Sequence, residues 1–281
     1  MKIDVAKQKI LLLKDQVTRD AAEKKAWEKK TNAFDALSKV TGFFSRPKDE
    51  DFELTYSEHR YQPFWHVSAN ARYVYDRNAN YQITVSGKEV RSVTLLNADY
   101  QETNGHIHVP VVEHCVQEEH EEVFVDGVSG KNTPELAEYV KKSSKEVKGK
   151  IEKLVEKDAI LVPPTARVSA IMRDALAKMI KGIQADKILE EHVEVTTVNL
   201  FYHPIYAFQY HWKSKGKDGI VEIDGITGNV SAGSRIFSEY LGKVLDTDFL
   251  FDIGADAAGM FIPGGSIAVK AAHKYISSTK K

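Results

Sequence analysis

Residues 202–230 carry the clearest hydrophobic pattern in the chain. Aromatic side chains occupy every second position of the first part, at Tyr206, Phe208, Tyr210 and Trp212. A period of two is typical of a strand that buries one face. A turn at 216–219 and a short apolar run follow, and Asp224-Gly225 then begins another tight turn. The pattern predicts a strand, a hairpin turn, a second strand and a second turn.

The same phrases occur earlier in the chain and in the same order. Residues 61–66, Tyr-Gln-Pro-Phe-Trp-His, match residues 202–207, Tyr-His-Pro-Ile-Tyr-Ala. Residues 125–130, Val-Asp-Gly-Val-Ser-Gly, match residues 223–228, Ile-Asp-Gly-Ile-Thr-Gly. We interpret the two matches as an internal duplication whose first copy contains an insertion.

The first 47 residues follow a helical pattern. Apolar residues recur at mostly three- and four-residue steps, at Ile10, Leu13, Val17, Ala21, Trp27, Phe34, Leu37 and Val40. Arg46-Pro47 ends the pattern, because proline disfavours the helical region for the residue before it. The sequence predicts a long N-terminal helix over 1–47.

Residues 48–132 predict the first antiparallel sheet module. Strands are expected at 52–61 and 64–75, and the insertion adds strand-like runs separated by turns at 86–88 and 104–105. Residues 133–164 then predict a connecting helix, since Thr133 can cap it and Pro134 suits its first position.

Residues 165–233 predict the second module, and residues 234–281 a helical tail. Val168, Ile171, Met172, Leu176 and Met179 form a broad apolar helix face ahead of the aromatic strand. In the tail, helices are expected at 234–245, 249–261 and 267–275.

These elements predict an α+β fold. It consists of two diverged copies of a helix-plus-antiparallel-sheet unit, with a long N-terminal helix and a helical C-terminal tail. We expect each copy to bury its aromatic face beneath its own helix.

Composition narrows the function classes. A net charge of −1 argues against a general nucleic-acid binder, whose basic surface would show in the total. Cys115 is the single cysteine, so no intramolecular disulfide can form. The N-terminal residues resemble neither a secretory signal nor a membrane span, and the expected location is the cytoplasm.

The densest polar cluster of the sequence suggests a metal site. His106 and His108 are two apart, and His114 and His120 follow. Histidines two apart on a strand share a face, as zinc sites often require. The alternative is a solvated polar strand face. Zinc or copper would suit such a pair, with zinc the one cofactor named for this cluster, and His59, His66, His203 and His211 are expected on polar faces.

Other candidate groups have plain alternatives. Cys115 suits a buried structural role better than a nucleophilic one, because Glu118 and Glu119 would raise the pKa of its thiol. Asp248, Asp252 and Asp256 could bind a cation or form an exposed acidic helix face. Residues 263–266 before Lys270 could bind an anion or form a turn.

Residues 221–230, Val-Glu-Ile-Asp-Gly-Ile-Thr-Gly-Asn-Val, resemble the closing strand and turn of PepSY-type modules, with an echo at 121–131. The resemblance covers about thirty residues of the second copy, including the aromatic strand. It implies a binding role, and PepSY-like modules are associated with the restraint of peptidases, usually outside the cytoplasm.

The sequence favours a non-enzymatic protein. No Ser/His/Asp order, paired-acid constellation or dinucleotide fingerprint occurs in the context that its chemistry needs. We expect an interaction or scaffold component that binds a protein partner through the N-terminal helix or the helical tail, and an oligomer is compatible with this reading. The alternatives are a metal-binding protein using the histidine cluster and a peptidase-regulating module.

Overall fold

A computed structural model of the chain describes residues 2–34, 47–180, 182–243 and 268–271. Within this part, a mixed sheet of ten strands dominates the fold. Two α-helices of the described ranges pack on it, α1 (Arg19–Glu28) and α2 (Val168–Met179). No helix of the described ranges is long and apolar enough to cross a membrane.

Two very long strands form the centre of the sheet. They are β3 (Phe52–Thr84) and β9 (Lys187–Trp212), and they pair antiparallel from Phe52↔Trp212 to Asp76↔Lys187. Three register shifts interrupt the pairing, at Leu54/Tyr56, Ser68/Ala69 and Val74/Tyr75. Such bulges bend and twist long strands, which lets one sheet curve under two separate helices.

Shorter strands complete the sheet on both sides of this pair. The other edge of β9 carries two short parallel strands and the antiparallel strand 217–224, while β3 pairs with the strand 106–126 and with the short strand 160–161. The bounds are β1 (Lys2–Val5), β2 (Lys9–Leu13), β6 (His106–Asp126), β7 (Ser144–Glu146), β8 (Ile160–Leu161), β10 (Lys217–Asp224), β11 (Val230–Gly233) and β12 (Ala268–Ala271).

β3 and β6 continue beyond the end of β9 as a two-stranded ribbon. Residues 77–84 pair with residues 106–113 there, past the last β9 partner at Asp76. A separate hairpin, β4 (Ser92–Leu95) and β5 (Ala98–Gln101), connects the two strands at the far end.

Both helices cover the same face of the sheet, which we call the helical face. Ala22 and Ala26 of α1 pack on the aromatic stripe of β9, and α1 also contacts β10. Met172 and Leu176 of α2 pack on the side chains of β3 around Trp65, and α2 also contacts β6.

The helices are exchanged relative to the expected arrangement. α1 precedes β3 in the chain but covers β9 and β10, and α2 precedes β9 but covers β3 and β6. The expectation that each copy buries its aromatic face under its own helix is therefore wrong. α1 covers the strands that follow α2 in the chain, and α2 covers the strands that follow α1.

The two matching phrases of the sequence lie side by side at the centre of the sheet. Tyr61 lies opposite Pro204, and Pro63 opposite Tyr202. Each proline carbonyl accepts a bond from a turn glycine, Pro63 O from Gly127 N at 2.8 Å and Pro204 O from Gly225 N at 2.9 Å.

The turns at those glycines also match in hydrogen bonding. Asp126 Oδ1 accepts from the backbone N–H groups of residues 128 and 129, and Asp224 Oδ1 accepts from those of residues 226 and 227. The loops leading into the helices bond back equivalently. Residues 165 and 166 donate to Gly127 O, and residues 16 and 17 donate to Gly225 O.

The predicted fold class is wrong, because the protein is rich in sheet and its helices are short. In place of a long N-terminal helix, residues 2–5 and 9–13 are strands, and α1 has only ten residues. Ile10 and Leu13 are buried in the sheet, and parallel pairing with β9 outweighs their helical spacing. Residues 35–46 lie outside the described ranges.

The connecting helix and the helical tail also need correction. Residues 133–164 contain 3₁₀ turns at 134–138 and 151–153 and the strands β7 and β8. In the tail, residues 238–240 form a 3₁₀ turn and residues 268–271 a strand, where helices were expected. The rest of the tail, 244–267 and 272–281, lies outside the described ranges.

We expect Gly225→Ala to destabilise the protein by about 1–3 kcal/mol, because an added methyl group has no room. A Cβ there would lie 2.8 Å from Pro204 O and 2.9 Å from Pro204 Cβ. Gly149→Ala is the matched control, with nothing within 4 Å, and its effect should stay within about 0.5 kcal/mol. Urea unfolding measures both, and equal midpoints for the two variants would contradict the close approach.

Candidate functional site

The outer edge of β6 lacks a partner strand over most of its length within the described ranges. β6 pairs with β3 along its whole length, from His106↔Thr84 to Asp126↔Phe64. On its other edge, the described residues supply only single bridges at the two ends, at His106 and at Val125. A long stretch of strand therefore keeps one edge open.

The even-numbered residues of β6 direct their backbone groups toward this edge. His106 exchanges backbone bonds with Thr103, and Phe124 O accepts from Thr133 N, both away from β3. Because the register between these points is unbroken and strand groups alternate, the even positions from 108 to 122 face outward. Pro110 is one of them, where its missing N–H costs no ladder bond.

The strand region around this edge exposes large apolar side chains. Leu96, at the tip of the β4–β5 hairpin, is 92% exposed, and Val116 on β6 is 59% exposed. The other exposed large apolar residues of this region are Tyr81, Ile83, Leu95, Val112, Ile188 and Leu189. Val112 and Val116 share one face of β6, and exposed apolar residues on a shared face are candidates for an interaction surface.

A groove of about 580 Å³ lies beside the edge, on the face of the sheet opposite the helices. Arg72 lies in it, with Nη1 2.6 Å from Glu118 Oε1 and Nε 3.6 Å from Glu190 Oε2. The lining residues are Asn70, Ala71, Arg72, Glu118, Glu119, His120, Glu190, His192 and Glu194. Three carboxylates, those of Glu118, Glu190 and Glu194, against one guanidinium give the groove an acidic character.

The structure does not bring the predicted metal ligands together. His106, His108, His114 and His120 share one face of β6, as their even spacing implies. His106 and His120, however, are separated by fourteen residues of one strand, or about 45 Å at about 3.3 Å per residue. Within the described ranges, no group of three or more His, Cys, Asp or Glu side chains is arranged to hold a metal.

Three of these histidines each have a polar partner nearby. His114 Nδ1 lies 2.7 Å from Asp76 Oδ1, and His120 Nδ1 lies 2.7 Å from Asn70 Oδ1. His106 Nδ1 lies 3.0 Å from the carbonyl oxygen of Asn104. This arrangement resembles the solvated polar strand face. Zinc binding stays an untested alternative.

Cys115 lies on the other face of β6 from His114. It is half-buried and packs against the core beneath α2, and its Sγ lies 3.8 Å from Glu113 O. A packing role fits these contacts. The candidate acids at 248, 252 and 256 and the turn at 263–266 lie outside the described ranges, and Lys270 is in β12 and not in a helix.

A polar cluster at the middle of the helical face fastens the loop before α1 to the sheet. Asp15 accepts hydrogen bonds from Tyr61 Oη at 2.7 Å and Tyr206 Oη at 3.2 Å, and its Oδ1 lies 3.0 Å from His59 Nε2. Burial raises the pKa of Asp15, but these hydrogen bonds outweigh burial and lower it. His59 is buried and stacks on Tyr206, with ring centroids 4.3 Å apart.

The opposite face has a matching cluster at the second turn. Asp224 Oδ2 accepts a hydrogen bond from Tyr139 Oη and lies 3.1 Å from His203 Nε2. Burial alone would raise the pKa of Asp224, but the His203 and Tyr139 contacts and a turn N–H hold it well below its usual range. The cluster fixes the 133–140 segment to the sheet.

A buried ion-pair network lies next to this cluster. The side chain of Arg60 is 1% exposed, and its guanidinium bonds Glu58 Oε1 at 2.7 Å and Glu222 Oε1 at 2.5 Å. Glu58 also accepts from the backbone N–H of Phe237. The network fastens the segment after β11 to the sheet, and its burial leaves no access for a substrate.

Of the four histidines that the sequence predicted on polar faces, three are buried instead. His59, His66 and His203 are buried, and only His211 lies on an exposed face, 2.7 Å from Asp218. A signal was present for His66 and His203, because each lies in an aromatic or apolar run that a central strand would bury. His59 lies between two charged residues, so no such signal was present there.

Comparison with family models, curated proteins and solved structures found no match to this chain. The likeness to PepSY-type modules therefore stays a prediction. Function has to be inferred from the geometry of the open edge and of the groove.

We expect Asp224→Asn to reduce the free energy of unfolding at pH 7 by about 2 kcal/mol, because it removes a buried charge that the fold stabilises. Because folding lowers the pKa of Asp224, the ionised carboxylate stabilises the fold at pH values above its unfolded pKa of about 3.9. This stabilisation is lost as the pH falls below that value toward the folded pKa. The difference between wild type and variant should therefore shrink below about pH 4.

Asp218→Asn is the matched control, since Asp218 forms an exposed ion pair with His211. Its effect should stay below about 1 kcal/mol. Urea unfolding at several pH values measures both variants. A wild-type advantage over Asp224→Asn that persists unchanged to pH 3 would contradict the assigned stabilisation.

Proposed function

We propose that this chain is a non-enzymatic interaction component that binds an extended segment of a partner protein along the free edge of β6. The observation that carries the proposal is the row of outward backbone groups at even positions between His108 and Glu122. An extended peptide can add to such an edge through main-chain hydrogen bonds, and its side chains then supply specificity.

The surroundings of the edge support binding. Proteins commonly protect exposed edges with charge, proline or short length. The β6 edge has Pro110 and several glutamates, but Val112 and Val116 are both more than half exposed beside its outward groups. A partner strand would cover these valines.

The proposed docking surface differs from the predicted one, which was the N-terminal helix or the helical tail. Ile3, Ile10 and Leu13 of the N-terminal segment are buried in the sheet, so they offer no amphipathic helix to a partner. The β6 edge and the ribbon take that role, because they combine exposed apolar side chains with backbone groups that no strand of the described ranges pairs.

Charge indicates the kind of segment that fits. An added strand would place alternate side chains on the face that holds the acidic groove, next to Glu118 and His120. Basic side chains there would complement the excess of carboxylates, so we propose a segment that alternates basic with apolar residues. The PepSY likeness supports a binding role.

We expect Val116→Pro to weaken peptide binding at least tenfold, because it removes an outward N–H from the middle of the edge. Peptides would first be selected from a library of extended segments with wild-type protein. Fluorescence anisotropy would then compare their affinities for wild type, Val116→Pro and Val116→Thr, which keeps the N–H.

Val112→Pro provides a second block of the same edge, for the case in which Val116→Pro fails to fold. Equal binding by the proline and threonine variants, or no selected peptides at all, would contradict the proposal. A wild-type dimer that the proline variants dissociate would also contradict it, because the edge would then serve a second copy of this chain.

A further inference from the structure

A second groove, of about 390 Å³, lies at the other end of β9 on the helical face. It runs between α1 and the sheet, and its lining residues are Asp20, Glu23, Lys24, Trp27, Leu54 and Tyr210. It is separate from the β6 edge, which lies beyond β3 on the far side of β9.

Tyr210 lines this groove, and its hydroxyl group has no hydrogen-bond partner among the described residues. The residue itself is 0% exposed. A buried hydroxyl without a partner is costly, so a group that supplies one is favoured there. Burial, followed by the charge of Glu23, raises the pKa of Tyr210, which keeps the phenol neutral.

Trp27 and Leu54 supply the apolar sides of the groove, and each is 37% exposed. The Trp27 ring meets Tyr210 edge-on, with centroids 5.9 Å apart. Lys30 Nζ lies 4.2 Å from the Trp27 ring centroid and pairs with Asp49, so a cation of the chain already contacts this ring. Leu54 adjoins a bulge at Thr55, and bulges often re-aim side chains at binding sites.

Two carboxylates stand at the rim. Asp20 and Glu23 lie three residues apart on α1, on the side of the helix that leads to Trp27. Among the described residues, neither forms an ion pair within 4 Å that would neutralise it. Lys24 adds one positive charge, so the rim keeps an excess of negative charge.

We propose that this groove binds a primary ammonium group carried on an apolar stem. The ammonium N–H groups would donate to Tyr210 Oη and to the carboxylates of Asp20 and Glu23, and the stem would lie against Trp27 and Leu54. The ligand is either a free alkylamine or the lysine side chain of a peptide, since both present the same chemistry.

The test follows the indole N–H signal of Trp27 in two-dimensional NMR during titration of the full chain. The other two tryptophans, Trp65 and Trp212, are buried and serve as internal references. The probes are n-butylammonium, the neutral n-butanol, tetramethylammonium, and an alanine peptide with one central lysine.

We expect n-butylammonium to shift the Trp27 signal in a saturable manner and n-butanol to bind at least about tenfold more weakly, because only the cation meets the carboxylates. Saturation by the amine alone assigns a small-molecule ligand. Saturation by the lysine peptide as well assigns a side chain. Both results support the proposal.

The variants separate the contacts. Tyr210→Phe should weaken n-butylammonium about tenfold and leave tetramethylammonium unchanged, because the quaternary ion has no N–H to donate. Glu23→Gln should weaken both cations, whereas Glu28→Gln, an exposed acid of the same helix outside the groove, should change neither.

Three outcomes would overturn the proposal. They are equal binding of n-butanol and n-butylammonium, no shift of the Trp27 signal with any cation, and an unchanged n-butylammonium affinity in Tyr210→Phe. The Glu23→Gln comparison remains decisive if Tyr210→Phe is poorly folded, because Glu23 is exposed and its replacement leaves the core intact.

Discussion

The antiparallel pairing of β3 with β9 is the interaction on which the rest of the structure depends. It runs from Phe52↔Trp212 to Asp76↔Lys187, and it decides which face each side chain of both strands occupies. A shift of one residue would move the aromatic stripe of β9 to the opposite face. The bulges within the pairing matter for the same reason, because each resets the alternation locally.

Polar groups at the middle of this pairing hold the peripheral segments in place. Asp15 fastens the loop before α1 on one face, while Asp224 and Arg60 hold the segments around Tyr139 and Phe237 on the other. Buried charges are costly without partners, so these contacts specify one arrangement of the loops. Among the described residues, the sheet is least covered at its far end, where the β6 edge and the acidic groove lie. This uneven cover is the physical basis of the proposed binding role.

Local patterns predicted the elements whose signal lies within their own residues. The period of two from Tyr206 to Trp212 gave a strand, Asp224-Gly225 gave a turn, and the apolar face around Met172 gave α2. Residues 9–13 were misread, because the run Lys-Ile-Leu-Leu-Leu suits a buried strand as well as a helix, and only pairing with β9 decides between them. The groove between α1 and the sheet could not be predicted from the sequence. Trp27, Leu54 and Tyr210 meet there only because α1 covers β9 and not the strands that directly follow it in the chain.

Cysteine cross-linking tests the β3–β9 register most directly. In a Cys115→Ser background, the pairs Glu53→Cys with His211→Cys and Asn70→Cys with Glu194→Cys replace directly opposed residues at the two ends of the pairing. Opposed residues of antiparallel strands lie about 4.5–5.5 Å apart between Cα atoms, within disulfide range. The account predicts that mild oxidation closes both bonds in the folded monomer, while Glu53→Cys with Lys217→Cys, one strand further away, stays reduced. Failure of both opposed pairs, or equally rapid closure of the distant pair, would contradict it.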